Sequence, residues 1–398
     1  MRAYLQYGEE RTSELDIWRK RYKKLARNQR SVTTVFPKIS GSIQVLLNAS
    51  HANDISQTLE RTINYTNKLN SVEDLMLKNA ALAKDILTHN LQYYGVSRPE
   101  LEAFVQEITA NNTNYQKGTT LYAMKHFARD WSTEGAHERD ATYPCVLQTL
   151  QEAFPVATRS SQTPIHVLVP GSGLGRLGHE IAALGNFAVT LNEMSPSMNM
   201  AYHYLTSLTA DTSTPNNNEH SATIYPYVDW WSHRATTAHL KRAVEFPDDI
   251  ATLSLSQTNT IPISLVEGDF TTALKSQKET YDAVVTHFFL DTAPNILTYL
   301  ETLHSSLKPG GVWVNFGPLL YGTAPAVQLS MDEVIAVAED LGFEIEGMPD
   351  GDGEEGSCGK PMEFDGRVRG KEVPYASDVE SLSRNAYLAQ FWVARKKV

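Results

Sequence analysis

Val169-Pro170-Gly171-Ser172-Gly173-Leu174-Gly175-Arg176 closes a short apolar run, Ile165–Val169, and opens a stretch with helical spacing. Glycine suits such a turn, because a backbone without Cβ can bend tightly and let a ligand approach, and the following helix start offers free amide donors. The spacing is GxGxG, and Arg176 stands where the dinucleotide fingerprint GxGxxG would need its last glycine. Taken alone the loop could be a structural turn. Further along, Glu193 follows the next apolar run, Ala188–Leu191, at about the distance where a carboxylate can accept hydrogen bonds from both ribose hydroxyls of a nucleotide-like cofactor.

The pattern around this loop is that of an α/β protein. Ile263–Val266, Ala283–Leu290, Val312–Phe316 and Leu388–Ala394 continue the series of short β-branched runs, separated by helical patterns. Their near-continuous apolar character predicts a parallel, doubly wound sheet buried on both faces. Before Pro164 the texture is helical. Leu15, Trp18, Tyr22 and Leu25 fall at helical spacing, a second stretch runs over 42–69, Ser97 and Pro99 mark a helix start before Leu101, and a helix pair covers 119–134 and 136–153. The expected division is a helical part, residues 1–155, covering the active site, and a cofactor-binding part, residues 156–398. Residues 209–221 read as a surface loop. Residues 349–373, rich in Gly, Asp and Glu, read as a long mobile loop, either a plain insertion or a lid.

Bulk properties narrow the partners. The chain has 398 residues and a net charge of −11, a field that disfavours phosphate backbones and anionic membranes. No run approaches about 18 apolar residues, and charge at Glu9-Glu10-Arg11 precedes any leader-like segment. A cytoplasmic protein is expected, with the nucleus open as a second location and a homodimer left open. Cys145 and Cys358 are the only cysteines, lie far apart and form no CxxC pair. That suits a reducing compartment and excludes a cysteine zinc cluster, and no metal is expected.

Three further signals follow in order. Gly268-Asp269-Phe270 closes the third strand, where a carboxylate can take an adenine amino proton and an aromatic can stack on the ring. Leu307-Lys308-Pro309-Gly310-Gly311-Val312-Trp313 joins a helix end to a strand through a Pro-Gly-Gly turn. Upstream, His126 and Arg129 share a helix face. Arg129 reads either as a forked clamp for a carboxylate or as a surface ion-pair residue, and His126 as a structural histidine or a ligand. Asp291, just past the fourth strand, points to where a transferred group should sit.

This order of signals resembles the class I S-adenosylmethionine-dependent methyltransferases. The resemblance implies a seven-stranded Rossmann-like sheet in the order 3-2-1-4-5-7-6 with the last strand antiparallel. The motifs RDWSxxGxxERDxxY (Arg129 to Tyr143), PGSGLGRLGxEIAxLG (Pro170 to Gly185), GDF, FFLDTAxN (Phe288 to Asn295) and LKPGGVWVNFGPLLY (Leu307 to Tyr321) are similar to those of the carnosine N-methyltransferase family. That resemblance implies S-adenosyl-L-methionine as cofactor, held by His126, Arg129, Gly171, Gly173, Glu193, Asp269 and Phe270. It implies methylation of an imidazole nitrogen of carnosine, giving anserine, with Asp291 as the catalytic residue and Asp291, Tyr321, Tyr375, Tyr387 and His287 toward the substrate, a small histidine-containing dipeptide. His126 stands where animal members have glutamine, His287 where they have cysteine, and Gly322 where they carry a substrate-contacting histidine. Two other readings stay open: a methyltransferase of a protein side chain or another small amine, and a non-catalytic cofactor-binding scaffold.

Overall fold

The computed structural model describes residues 1–25, 57–110, 119–156, 163–209, 221–255, 263–323, 325–347 and 358–398. The helical texture of the N-terminal part becomes five main helices: α1 (Arg2–Leu25), α2 (Tyr65–Tyr93), α3 (Arg98–Ala110), α4 (Thr119–Trp131) and α5 (Ala136–Ala153). Their apolar residues recur at three- and four-residue spacing. In α2 they are Leu69, Val72, Met76, Ala83, Ile86 and Leu87, all buried, as an amphipathic helix requires. Asn64 caps α2 by accepting from the Asn67 amide at 3.2 Å. Much of the helical stretch expected over 42–69 lies outside the described residues, as does nearly all of the 209–221 loop.

The second part runs β1 (Ile165–Pro170), α6 (Arg176–Ala183), β2 (Phe187–Glu193), α7 (Pro196–Ser207), β3 (Ala222–Ile224), α8 (Thr237–Lys241), β4 (Val244–Phe246), α9 (Ile250–Ser254), β5 (Ile263–Glu267), α10 (Phe270–Ala273), β6 (Tyr281–His287), α11 (Ile296–Ser306), β7 (Leu307–Gly317), α12 (Met331–Asp340), β8 (Phe343–Glu346), β9 (Lys360–Pro361), β10 (Arg369–Pro374) and β11 (Ala386–Lys396). The main sheet has the order β5-β2-β1-β6-β7-β11-β10-β9, with β8 also on β11. The first five strands are parallel, and β11 runs antiparallel to β7 and β8. With β5, β2, β1, β6, β7, β11 and β8 taken as the seven expected strands, the order 3-2-1-4-5-7-6 holds. Alternate residues of β1 serve opposite faces. Val167 and Val169 pack in one cluster with Ile86, Phe127, Trp131 and Leu150 of the N-terminal helices. Leu168 packs in the other with Leu300, Leu303, Trp313 and Trp392. Both faces are therefore covered, the helices of the first part supplying one cover.

Two expectations are corrected. Residues 349–373 are not one loop. Their described portion carries β9 and most of β10, and β10 pairs antiparallel with the first half of β11, Pro374 facing Ala386 and Arg369 facing Phe391. Only the two-residue β9 lies outside the strand, which alternates weakly, with Lys371 and Glu372 in its middle, so its sequence Arg-Gly-Lys-Glu-Val-Pro carries little strand signal. The cysteines are not separate thiols either. Cys145 on α5 and Cys358 ahead of β9 form a disulfide across 213 residues. Separation along the chain says nothing about separation in a fold that lays α5 against β10, and cysteine usage therefore no longer supports a reducing compartment. Among the described residues no helix is long and apolar enough to cross a membrane.

Candidate active site

A cavity of about 380 Å³ opens beyond the carboxyl ends of β1, β2, β5 and β6, the ligand position in doubly wound sheets. Its volume is within the usual range for a small-molecule site. The glycine turn forms one side. Gly171 has φ 62°, and a Cβ there would stand 2.4 Å from the Phe289 ring. Beside it Ser172 lines the cavity, and its hydroxyl is buried without a hydrogen-bond partner among the described residues. Glu193, at the end of β2, ties this turn to the next helix. Its Oε2 accepts from the Gly173 amide at 2.9 Å and its Oε1 from the Ser195 amide at 2.7 Å. Burial raises its pKa, against the pull of these amides. Each oxygen keeps a lone pair for a further donor. Asp269 caps α10 through Oδ1, which accepts from the Thr271 amide at 2.8 Å and from the Thr271 hydroxyl. Phe270 and Tyr299, edge-on at 5.3 Å, and Phe289, stacked on Tyr299 at 4.8 Å, make an aromatic wall. The two Glu193 oxygens, Asp269 and this wall fit the ribose and adenine parts of S-adenosylmethionine.

The motif beginning at Arg129 explains how α4 reaches the glycine turn. Trp131 Nε1 donates to the Leu174 carbonyl at 2.8 Å, and the Arg176 guanidinium lies over the Trp131 ring at 4.7 Å. Asp248 takes both Arg176 and Arg139 at 2.6 Å, and Arg139 in turn donates to the Arg129 carbonyl at 2.8 Å. Gly135 passes so close that a Cβ would meet the Arg129 carbonyl oxygen at 1.9 Å. Arg129 is thereby held at the cavity. Its Nε donates to Asp130 Oδ1 at 2.8 Å, while His126 Nδ1 lies 3.2 Å from Asp130 Oδ2. Burial opposes ionisation of Asp130, but the Arg129 charge and the hydrogen bonds from Arg129 and His126 outweigh it and hold its carboxyl well below the ordinary range. An ionised Asp130 only accepts, so His126 Nδ1 carries the proton, and burial keeps the ring neutral. The terminal nitrogens of Arg129 make no hydrogen bond among the described residues and are available to a carboxylate.

At the other end stand His287, Phe288 and Phe289. Phe288 has φ 51°, a strained conformation for a bulky residue, and its ring stacks on Tyr375 at 4.9 Å and 10°. Tyr387 lies 5.4 Å behind Tyr375. His287 Nε2 lies 2.9 Å from Thr142 Oγ1, whose own proton goes to the Glu138 carbonyl at 3.4 Å. Of the residues named from sequence, His126, Arg129, Gly171, Gly173, Glu193, Asp269, Phe270, His287 and Tyr375 line the cavity. Asp291, Tyr321 and Tyr387 stand behind its wall. Asp291 Oδ2 accepts from the Leu320 amide at 3.0 Å, and the Tyr321 hydroxyl exchanges hydrogen bonds with the Leu329 backbone. Thr292, Pro294 and Thr323 line that end instead. Sequence reasoning missed Ser172, Asp130, Glu138 and Thr142. All lie inside quoted motifs, but small hydroxyls and extra carboxylates give no spacing signal of their own.

Burial, with Arg129 adding to it, pushes the His287 pKa down to about 3. An unfolded histidine titrates near 6.5. Below about pH 6.5 the unfolded chain therefore binds a proton that the folded chain refuses, and stability falls as pH drops toward 3. His179, pushed down to about 4 by burial, acts in the same direction. Denaturant unfolding of wild type is expected to weaken steadily from pH 6.5 to 4.5. His287→Gln should show a shallower decline, by up to about 1.4 kcal/mol per pH unit. Parallel curves would mean that His287 is already charged in the folded protein.

The sequence model of the family described as Carnosine N-methyltransferase matches residues 105–398. The carnosine N-methyltransferase of Schizosaccharomyces pombe is 31% identical over 298 residues, covering 71% of this chain and 75% of that protein. The Rattus norvegicus protein of the same name is 34% identical over 228 residues, 56% of this chain, and the match spans only 54% of its length. The Dictyostelium discoideum protein is 29% identical over 337 residues, 83% of this chain and 67% of its own. A doubly wound sheet in the methyltransferase strand order, a cofactor pocket fitted to S-adenosylmethionine and a family match over most of the chain converge: this protein belongs to the carnosine N-methyltransferase family of S-adenosylmethionine-dependent methyltransferases.

Proposed function

We propose that this enzyme methylates an imidazole nitrogen of carnosine or a closely related histidine-containing small molecule, giving anserine or its counterpart. The observation that carries the reading is the acceptor end of the cavity, where the stacked Phe288–Tyr375 pair stands beside a neutral His287. A flat ring fits against such a wall, and no strong base is needed. Neutral imidazole, with a pKa near 6.5, already offers a lone pair at pH 7. S-adenosylmethionine supplies a methyl group on a sulfonium, transferred in line to that lone pair. The task left to the protein is positioning. Glu193, Asp269 and Phe270 hold the nucleoside, and Arg129, kept in place by Asp130 and His126, takes the amino-acid carboxylate. Asp291, next to the lining residue Thr292, accepts through its second oxygen the N–H of an imidazole that enters past that wall, and so selects which nitrogen presents its lone pair. Tyr375, backed by Tyr387 and with Tyr321 bracing the following loop, walls the ring. The cytoplasm, or the nucleus, is the proposed setting.

A transfer assay with labelled cofactor against carnosine, homocarnosine, free histidine, histidine peptides and an unmethylated lysate tests this reading. Label in an imidazole dipeptide is expected. Label only in lysate protein would replace the small acceptor by a protein side chain.

The same assay examines Gly322. A Cβ built there meets nothing within 4 Å, so a larger side chain has room. One neutral hydrogen bond is worth about 0.5–1.5 kcal/mol. Gly322→His is therefore expected to raise kcat/KM for carnosine by about two- to tenfold. A loss of efficiency would show that the loop presents its acceptor contacts differently from the animal members.

A further inference from the structure

A second cavity of about 380 Å³ adjoins the first across a shared wall of Tyr122, His126, Arg129, Glu138 and Tyr375. Its far side carries several charges, all engaged. Lys125 Nζ pairs with Asp229 at 2.9 Å. Glu134 takes Arg242 at 2.8 Å and the Tyr227 hydroxyl at 3.2 Å, and Asp378 takes Arg234 and Arg242. Glu138, on the shared wall, differs from all of them. Its side chain is nine-tenths buried, yet it forms no ion pair with lysine or arginine among the described residues. Oε1 accepts from the Ser377 amide at 2.8 Å and from the Ser377 hydroxyl at 3.4 Å. His137 stands 4.0 Å away, but its Nε2 is engaged with that hydroxyl at 2.6 Å. Oε2 receives no hydrogen bond among the described residues.

A largely buried carboxylate whose free oxygen opens on a cavity gains a charged hydrogen bond when a cationic partner arrives. The other charge on the wall, Arg129, is ion-paired with Asp130 and feels Glu138 without a direct ion pair, so the three groups together carry one negative charge in excess. The partner that suits Glu138 is a cation. Glu138 stands where the chamber that would hold the ring meets the chamber next door.

We infer that Glu138 pairs with the protonated amine of the acceptor, and that the second chamber houses the part of the acceptor beyond its imidazole. This rests on the imidazole reading proposed above and names the acceptor class more narrowly: an imidazole compound with a free amine at its far end. Glu138 is then a specificity residue, distinct from those that line up the reacting atoms.

Steady-state kinetics with carnosine and N-acetylcarnosine, whose amine is neutral, test the inference on wild type and on Glu138→Gln. Glutamine keeps an oxygen for the Ser377 amide. Wild type is expected to show a KM at least about tenfold lower for carnosine than for the acetylated compound, with similar kcat. Glu138→Gln should raise KM for carnosine by about the same factor and leave KM for N-acetylcarnosine, kcat and cofactor Kd unchanged. Equal use of the two acceptors by wild type overturns the inference even if the variant fails to fold. An equal change on both acceptors, or none, in a folded variant overturns it too and leaves Glu138 as a fastening for the Ser377 turn. In these outcomes the imidazole reading stands. Methylation of neither compound would overturn this inference together with carnosine as the acceptor, and the transfer assay on the other histidine compounds then decides the imidazole reading.

Discussion

Glu193→Ala is expected to raise the Kd for S-adenosylmethionine at least tenfold, about 1.4 kcal/mol, in a protein that remains folded. The carboxylate is placed for two converging ribose hydroxyls, and each hydrogen bond to a charged group contributes about 1.5–3 kcal/mol. Its second effect is on the site's own geometry. The Gly173 and Ser195 amides both donate to Glu193, and alanine leaves them unpaired, loosening the glycine turn that faces the cofactor. Glu193→Gln separates the two effects only partly, because its amide nitrogen must face one of those N–H donors. Calorimetry on the folded alanine variant gives the answer, and an unchanged Kd removes Glu193 from the cofactor site.

The parts of this fold that were legible in the sequence are those whose physics is local. β1, β2, β6 and β7 read as strands because both of their faces are buried, so each carries a near-continuous apolar run. The glycine turn was legible because left-handed backbone and close packing against Phe289 leave glycine few substitutes. β10 was not legible, since a strand next to the sheet edge with Lys371 and Glu372 at its centre has the composition of a loop. Neither was the Cys145–Cys358 bond, which depends on a docking of α5 against the sheet edge that no local pattern encodes. Within the site, Glu193 and Asp269 stand out because each follows a strand at a fixed register. Glu138 does not, because its meaning comes from things that no local pattern encodes: the Ser377 turn, the Arg129–Asp130 pair and, among the described residues, no ion pair with lysine or arginine. Asp291 shows the opposite limit. Its position past the fourth strand was correctly read, but its side chain turns to the Leu320 amide, a contact set by the loop after β7.

That contact makes Asp291→Asn an informative substitution. It is expected to lower kcat for methyl transfer by at least about a hundredfold while cofactor Kd stays within about twofold. Asn is nearly the same shape, and its side-chain oxygen can still accept from the Leu320 amide, so the tie between the 290–292 turn and the 318–322 loop survives. What changes is the other position of the carboxylate. Asn presents N–H there, toward an imidazole whose own N–H needs an acceptor, and two donors face each other where the wild-type carboxylate offers a lone pair. Burial raises the Asp291 pKa while its hydrogen bonds to backbone amides lower it, and the variant also removes whatever negative charge remains to favour the developing cation on the ring. The cost of an unmatched buried donor in addition to a lost charged hydrogen bond is several kcal/mol, which is why the effect on kcat should exceed that of any single neutral contact. The substitution also discriminates between roles. If Asp291 serves only to pin the Leu320 loop, Asn preserves that function and turnover stays near wild type. If it acts on the acceptor, turnover collapses with an intact fold and an intact cofactor site, as measured by single-turnover transfer from pre-bound labelled cofactor.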